Sequence, residues 1–568
     1  MPLSCPYHND TAQSTNGINI SQLDYIRVEP ECFFEEGTCQ LCEELFAVEK
    51  DIEGATTPLN ATLMINRYQS LKTEINLTHS PIICDLPVEI LLKIFHSCFT
   101  DEMQEFGEPG YEDSFVPLKV GAVCRTWRQI VWSSPEFWTV ISMKRILSSS
   151  SHSYNQYAIM EEWIERSGAL PLQVYFEEDV NWYDTDNVKV PSECQCWKRC
   201  LELLEKCCDR WEIAFLSLSK MSFEYIGRNL KLKPPFGRLI LHSPEDMWYR
   251  EWLEDDSDVI PLNLRGTSSK PGPMEVILNF PFQLGYINID WNGIPHVEVK
   301  EWGFEEGVNL LKCAPRLESC SFVSMGNCPP LELVHGGPVI PVHHNSLRYL
   351  YIECEGSPLT FFDLVTLPSL EELDYTYVRG RTFPEEAMQS AFLRDFIIRS
   401  RCPLKRLSLI APPFITTDDL DTILRLLPSL VHFSLEFSDG FLMYQQKDVR
   451  DHLLSRLIAT ATIEDDAENF LPHLEVLELD YSGRIYDSSD ISYWSSIIDV
   501  FGDPSELGKE GRRPLSSLLI TTDRPYFVMG LPGDVVDRLV SLQKAGAKIN
   551  FRVRYDDGDC EVTPVKWA

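Results

Sequence analysis

The sequence predicts an α/β chain: a small all-helical segment near the N-terminus, then an irregular solenoid of short parallel strands alternating with helices. Three observations predict it. Leu86–Trp138 carries two amphipathic helical patterns around an acidic interruption. A unit of the form apolar-x-x-apolar-x-apolar recurs from Leu317 onward. Prolines stand just ahead of those units, where a helix stops and extended backbone begins. With 568 residues, 44% of them hydrophobic, the chain exceeds one ordinary core and is too apolar for disorder. Several domains or one elongated array are expected.

Residues 1 to about 55 are poorly patterned and rich in turn formers, so a largely disordered leader is expected there. Cys39-x-x-Cys42 has the spacing of half a zinc site. No second pair follows at a suitable distance, His8 is a weak further ligand, and incidental thiols are the plain alternative. Neither a metal nor another cofactor is expected. Residues 56–80 form a short helix in which Met64, Tyr68, Leu71 and Ile75 share one face. That face is expected to pack on the segment C-terminal to it.

Residues 81–142 hold the helical segment. Pro87 suits a first helical position, where its missing N–H is no loss. Ile90, Leu91, Ile94 and Phe95 form one broad apolar face. In the second pattern Val120, Val123, Cys124, Trp127 and Val131 recur at helical spacing, and Pro135-x-x-Trp138 closes the segment. Between the two, from about residue 100 to 116, carboxylates run without a basic residue, and a self-repelling solvated loop is expected. Two helices and a short third element cannot bury this many large side chains alone. Leu86, Pro87, Ile90, Leu91, Ile94, Phe95, Val123 and Trp127 are therefore the expected docking residues, with Trp127 the best anchor. The plain alternative is the ordinary core of a small domain. Cys124 reads as a small buried hydrophobe, since only Arg125 beside it would lower its pKa.

From residue 160 to 568 the repeated unit dominates. It appears at Leu317/Cys320/Phe322, Leu347/Leu350/Ile352, Leu370/Leu373/Tyr375, Leu404/Leu407/Leu409, Leu430/Phe433/Leu435, Leu474/Leu477/Leu479 and Leu515/Leu518/Ile520. Successive starts lie 23 to 44 residues apart, within the range of stacked repeats. Pro315, Pro368, Pro428 and Pro472 stand two residues before their leucine, and Pro403 and Pro514 one before. Helical patterns precede several of them, so the repeating event is helix, proline stop, strand. No such unit buries its face alone; stacking makes the core continuous. Positions between the apolar ones, among them Tyr349, Tyr351, Glu372, Asp374, Arg406, Ser408, His432, Ser434, Glu478 and Asp480, are expected on the concave side. Tyr349, Tyr351, Arg406 and His432 are the candidates there for contact with a target protein; a plain solvated strand face is the alternative. An acidic run over Glu245–Asp258 reads as a loop, because its spacing does not suit calcium. Residues 180–310 fit the repeat least, so an unrecognised enzyme site there stays open.

The net charge of −36 argues against nucleic acid and anionic membrane surfaces as partners. No basic-plus-apolar leader and no run near 20 apolar residues is visible, so neither secretion nor a membrane span is expected. The eighteen cysteines then read as reduced thiols of the cytoplasm or nucleus. Phosphate-loop, metalloprotease and nucleophile-elbow motifs are missing, so no catalytic residue is assigned.

The segment Leu86-Pro87, Glu89-Ile90-Leu91, Ile94-Phe95, Val123-Cys124-Arg125, Trp127-Arg128 and Pro135-x-x-Trp138 resembles the F-box. It departs from that family in its long acidic insertion. The later units resemble irregular leucine-rich repeats, without the usual Asn or Cys after most strands. The combination is similar to the large F-box families of mushroom-forming fungi. The resemblance implies a non-catalytic substrate receptor of a Skp–cullin–F-box ubiquitin ligase, in the ubiquitin-conjugation pathway. It would bind a Skp-type adaptor, and through it a cullin, with the F-box, and a target protein with the repeats. A scaffold or inhibitor acting without a cullin is the second reading.

Overall fold

The computed structural model describes residues 39–53, 58–79, 86–104, 116–146, 153–179, 195–232, 237–242, 262–264, 273–279, 284–326, 341–354, 359–378, 391–410, 416–437, 443–462, 469–480, 496–522, 533–553 and 560–562. It is a mixed α/β fold built on parallel strands, and it divides into two compact units, Met1–Pro234 and Pro235–Ala568.

The first unit opens with a helical hairpin, α1 (Gln40–Glu53) and α2 (Pro58–His79). Cys42, Leu45, Leu71 and Ile75 form its buried interior, with Val48 and Tyr68 packed against it. Arg67 Nε donates to Glu44 Oε1 across the pair at 3.1 Å. Two expectations change here. Residues 40–53 are helix rather than leader, and the face of α2 packs on the helix before it. The turn formers that suggested disorder stop short of Cys39, where an apolar stripe begins.

Three helices come next: α3 (Val88–Gln104), α4 (Val116–Val123) and α5 (Arg125–Ser133). Most of the acidic insertion lies outside the described residues. The second helical pattern is two helices, because Cys124 is extended (φ −156°) and its Sγ accepts the Trp127 N–H at 3.4 Å. A thiol thus does the work of an N-cap. A 3-10 turn, Pro135–Trp138, leads directly into β1 (Val140–Ile146), so strands begin ahead of residue 160. β1 pairs in parallel with β2 (Leu172–Asp179), and β2 with β3 (Trp211–Ser217). Trp138 is 1% exposed and donates through Nε1 to Val131 O at 2.9 Å. Its ring centroid lies 5.0 Å from that of Trp132 and 5.5 Å from that of Trp163, and the Arg166 guanidinium covers both Trp132 and Trp138. This aromatic stack joins the helices to the first strands in one core and leaves no domain boundary between them. Deeper in the unit, Arg145 donates to Glu178 at 2.9 Å. Ser219 N and Ser222 Oγ also donate to Glu178, so the buried carboxylate is fully partnered.

Among the described residues, the second unit has a series of twelve ladder strands, β4 (Arg238–His242), β5 (Glu275–Leu278), β6 (His296–Lys300), β7 (Ser319–Met325), β8 (Tyr349–Cys354), β9 (Glu372–Tyr377), β10 (Arg406–Ile410), β11 (His432–Glu436), β12 (Val476–Asp480), β13 (Ser517–Thr522), β14 (Lys548–Val553) and β15 (Cys560–Val562), while two-residue strands between some of them form two separate small sheets. Each pairs with the next in chain order, all parallel except β15. The apolar residues of all seven repeated units are buried, none more than 5% exposed. Residues 262–300, part of the region the repeat fits least, contribute β5 and β6 to the same series. The prolines have a sharper role than stopping helices. Leu317, Leu370, Leu430 and Leu474 each donate N–H to the carbonyl three residues back, on Ala314, Leu367, Leu427 and Leu471. The proline is then the second residue of a β-turn, where its fixed φ fits. The residue before it is buried in all four cases, adding an apolar position to the repeat. In the unit at Leu347, His344 takes that place: its Nδ1 accepts the Leu347 N–H and its Nε2 lies 2.9 Å from Ala314 O. Burial lowers the pKa of this imidazole and favours the neutral ring.

Helices cross between the strands. Leu359–Leu364 and Ala391–Ser400 bring Phe361, Phe362, Phe392 and Phe396 against Phe322 and Tyr375, with neighbouring ring centroids 5.0–6.4 Å apart. Arg513, 5% exposed, donates to the carbonyls of Leu457, Thr460, Phe470 and Leu471. It thereby satisfies the C-terminal end of helix Met443–Ala459, which otherwise leaves carbonyls bare. Burial pushes its pKa down to about 10, so the guanidinium stays charged at neutral pH.

Arg513→Met strips four carbonyls of a charged donor and is expected to lower stability by at least about 3 kcal/mol, read from urea unfolding of the full chain. Glu306 accepts the Leu284 N–H at 2.8 Å, and burial raises its carboxyl from 4.5 to about 7. The folded state therefore holds this proton more tightly than the unfolded chain. Stability falls as pH rises from 4.5 to about 7, and the deficit persists above that. Glu306→Gln keeps a carbonyl acceptor. Its melting temperature should exceed that of the parent chain at pH 8 and match it near pH 4.

Candidate docking and recognition faces

α3 divides the expected docking residues by helical geometry. Pro87, Ile90, Ile94 and Cys98 succeed one another at three- and four-residue steps and all are exposed, Ile90 at 41% and Ile94 at 42%. Such residues line one stripe of a helix. Leu91 and Phe95 lie along the adjoining edge of the same apolar face and are 2% and 0% exposed. Leu86 is half-buried. Pro87 stands just before the helix, its carbonyl accepting the N–H groups of Ile90 and Leu91 at 3.0 and 3.1 Å.

Two further expectations are corrected. Leu91 and Phe95 hold α3 in the unit's own core and present no free surface. Trp127 is half-buried, its ring centroid 4.7 Å from that of Phe95 and tilted by 58°. It braces α5 against α3, and its indole Nε1 is buried without a hydrogen-bond partner. The α4–α5 break also separates Val123, 49% exposed, from the buried Val131. Val88, at 49%, was missed; it stands directly after the proline, where the first turn has no preceding turn to cover it. The exposed set is thus Pro87, Val88, Ile90, Ile94 and Val123, aliphatic and without a charge of its own.

The second face lies on strands β8 to β12. In-register pairing brings Tyr349, Glu372, Arg406, His432 and Val476 into one row, and Tyr351, Asp374, Ser408, Ser434 and Glu478 into the next. All four candidates for target contact are therefore neighbours on one sheet face, each half-buried. Ser408 and Asp480, each 5% exposed, are too deep to belong to that surface. Tyr349 Oη donates to Asp374 at 3.2 Å, and Arg406 Nε lies 3.4 Å from the same carboxylate. His432 Nε2 is 3.2 Å from Glu478 Oε1, close enough for an ion pair but not aligned as a hydrogen bond. Proximity of His432 holds the Glu478 carboxyl below its ordinary range. Burial pushes both tyrosine hydroxyls up to about 12, so they remain donors at any physiological pH.

Cys42 is fully buried inside the α1–α2 hairpin. Among the described residues, no group of three or more His, Cys, Asp or Glu is placed to hold a metal ion, and no helix is long and apolar enough to cross a membrane. The acidic run Glu245–Asp258 lies outside the described residues. Compared with protein families and curated proteins, the chain matches no family model and no curated sequence.

The buried and exposed edges of the α3 apolar face predict opposite outcomes. Phe95→Ala should cost about 3–5 kcal/mol, whereas Ile90→Ala and Ile94→Ala should each stay within about 0.5 kcal/mol. Thermal melting of the three variants of the full chain checks this.

Proposed function

We propose that this chain is the substrate-recognition subunit of a Skp–cullin–F-box ubiquitin ligase. The observation that carries the proposal is the exposed aliphatic stripe Pro87, Ile90 and Ile94, with Val88 and Val123 exposed in the same unit. It falls within the motif-bearing segment that resembles an F-box. A single such aliphatic side chain would need no explanation, but a continuous stripe on one helix does. A Skp-type adaptor covering it would bring a cullin with it. The strand array of the second unit then reads as an irregular leucine-rich-repeat solenoid whose open face holds a target protein. In this role the chain performs no chemistry. It raises the effective concentration of a target lysine near the transferring thioester. The work would take place in the cytoplasm or nucleus.

The rigid aromatic stack of Trp132, Trp138 and Trp163 supports this role. It ties the docking helices to β1–β3, so a bound adaptor would fix the direction of those strands within that unit. A scaffold that binds the adaptor without recruiting a cullin uses the same stripe. Co-purification separates the two, because only a receptor brings the cullin along.

The double variant Ile90→Ala/Ile94→Ala should reduce capture of a Skp-type adaptor at least tenfold while its melting temperature stays within error of the parent. Undiminished capture by a folded double variant would sink the docking proposal. Adaptor without cullin in the purified complex would select the scaffold.

A further inference from the structure

We propose that the open face of β8–β12 takes an extended, Lys/Arg-rich segment of the target protein. The proposal rests on reading the second unit as the target-binding part and names the chemistry that part selects.

The face carries an excess of one charge. Among the described residues of these five strands, Glu353, Glu372, Asp374, Glu436 and Glu478 lie on it exposed or half-buried, against the single guanidinium of Arg406. Arg406 is taken up by Asp374, and His432, charged only when protonated, stands at Glu478. Arg348 and Lys405 lie one position earlier, at the strand starts, and there share Glu371. Glu353 and Glu372 form no ion pair with the described cations of the face. Glu353 accepts hydroxyl hydrogens from Ser324 at 2.9 Å and from Tyr351 at 3.0 Å. Neutral donors fix where this carboxylate points without cancelling its charge, which leaves it preorganised for a cation. Glu372, in the row beside Tyr349, is exposed.

The dimensions and side chains suit an extended peptide. Five strands about 4.8 Å apart span roughly 19 Å, the reach of about six extended residues. Tyr349 and Tyr351 occupy alternate positions of β8 and so share the face, where aromatic rings favour guanidinium and ammonium groups. The rows of this face are mainly carboxylates and hydroxyls rather than apolar side chains, which does not suit a folded hydrophobic partner. The face matches a flexible cationic segment, whose many charges it can meet one strand at a time.

The test uses the purified full chain and fluorescein-labelled decapeptides, (Arg-Ser)5, (Glu-Ser)5 and (Gly-Ser)5, titrated by fluorescence anisotropy at 150 mM salt. Saturable binding of the arginine peptide alone is expected. Glu353→Gln/Glu372→Gln should weaken it at least tenfold. Because the whole chain is acidic, the control is a remote pair of exposed carboxylates, Glu510→Gln/Asp534→Asn, which should change binding less than twofold. Equal losses from both pairs, or no binding to the parent chain, would overturn the proposal. Should the double variant fold poorly, Glu372→Lys at its exposed position replaces it, with the same tenfold criterion. Adaptor capture is measured on the same proteins. Loss of arginine-peptide binding with capture intact marks this face alone, whereas peptide binding without any adaptor capture by the parent chain refutes the receptor role and leaves the face standing.

Discussion

The second unit depends on one repeated hydrogen-bond device. At seven successive strand starts, a single carbonyl accepts two successive N–H groups from the next strand. Pro295, Glu318, Arg348, Glu371, Lys405, Val431 and Glu475 do this in turn, at 2.7–3.0 Å. The device fixes where each strand begins relative to its neighbour, and a slip of one residue would turn every buried leucine outward. Because the acceptor is a backbone carbonyl, its side chain is free to vary. That freedom explains why Glu, Arg, Lys, Val and Pro all occupy the position.

Parallel strands need a crossover, and every crossover leaves polar backbone to satisfy. The chain solves this locally and differently each time. Four prolines lie in β-turns whose carbonyl partner is the first leucine's N–H. His344 substitutes an imidazole for that turn. Arg513 gathers four carbonyls at the end of one long helix, and Arg399 donates to the carbonyls of Phe362 and Val365. His344, Arg399 and Arg513 use polar or charged side chains to complete backbone hydrogen bonding, which accounts for the burial of Arg513 without an ion-pair role. The variety also explains the irregular spacing of the repeats, since each solution needs a different length of chain.

The same economy shapes the two candidate faces. On α3, one edge of the apolar face is consumed by the core through Leu91 and Phe95, with Trp127 braced against Phe95. The adjoining edge carries the aliphatic residues left over. On β8–β12, one side of every strand is consumed by leucine and phenylalanine, and the other gathers tyrosines and carboxylates into rows. On α3, partner binding would use side chains that the core does not need, so substitutions there are separable from stability.

The sequence by itself determined the periodic features: the repeated apolar units, their burial, the strand positions and the alternate face bearing Tyr349, Tyr351, Arg406 and His432. These arise from local rules of backbone period and proline geometry. Tertiary structure decided what depends on contacts distant in sequence. Residues 40–53 became helix because α2 offered a partner for Cys42 and Leu45. The continuous pattern from Val120 to Val131 broke because Cys124 capped a new helix with its thiol. Leu91, Phe95 and Trp127 turned inward while Ile90 and Ile94 stayed out, since periodicity names an apolar face but not which of its edges meets the core. The polar residues between the leucines were legible as a row. Their pairing into Tyr349–Asp374–Arg406 and His432–Glu478 required in-register strands, because those partners stand 25 to 46 residues apart along the chain and meet only when the ladder is closed.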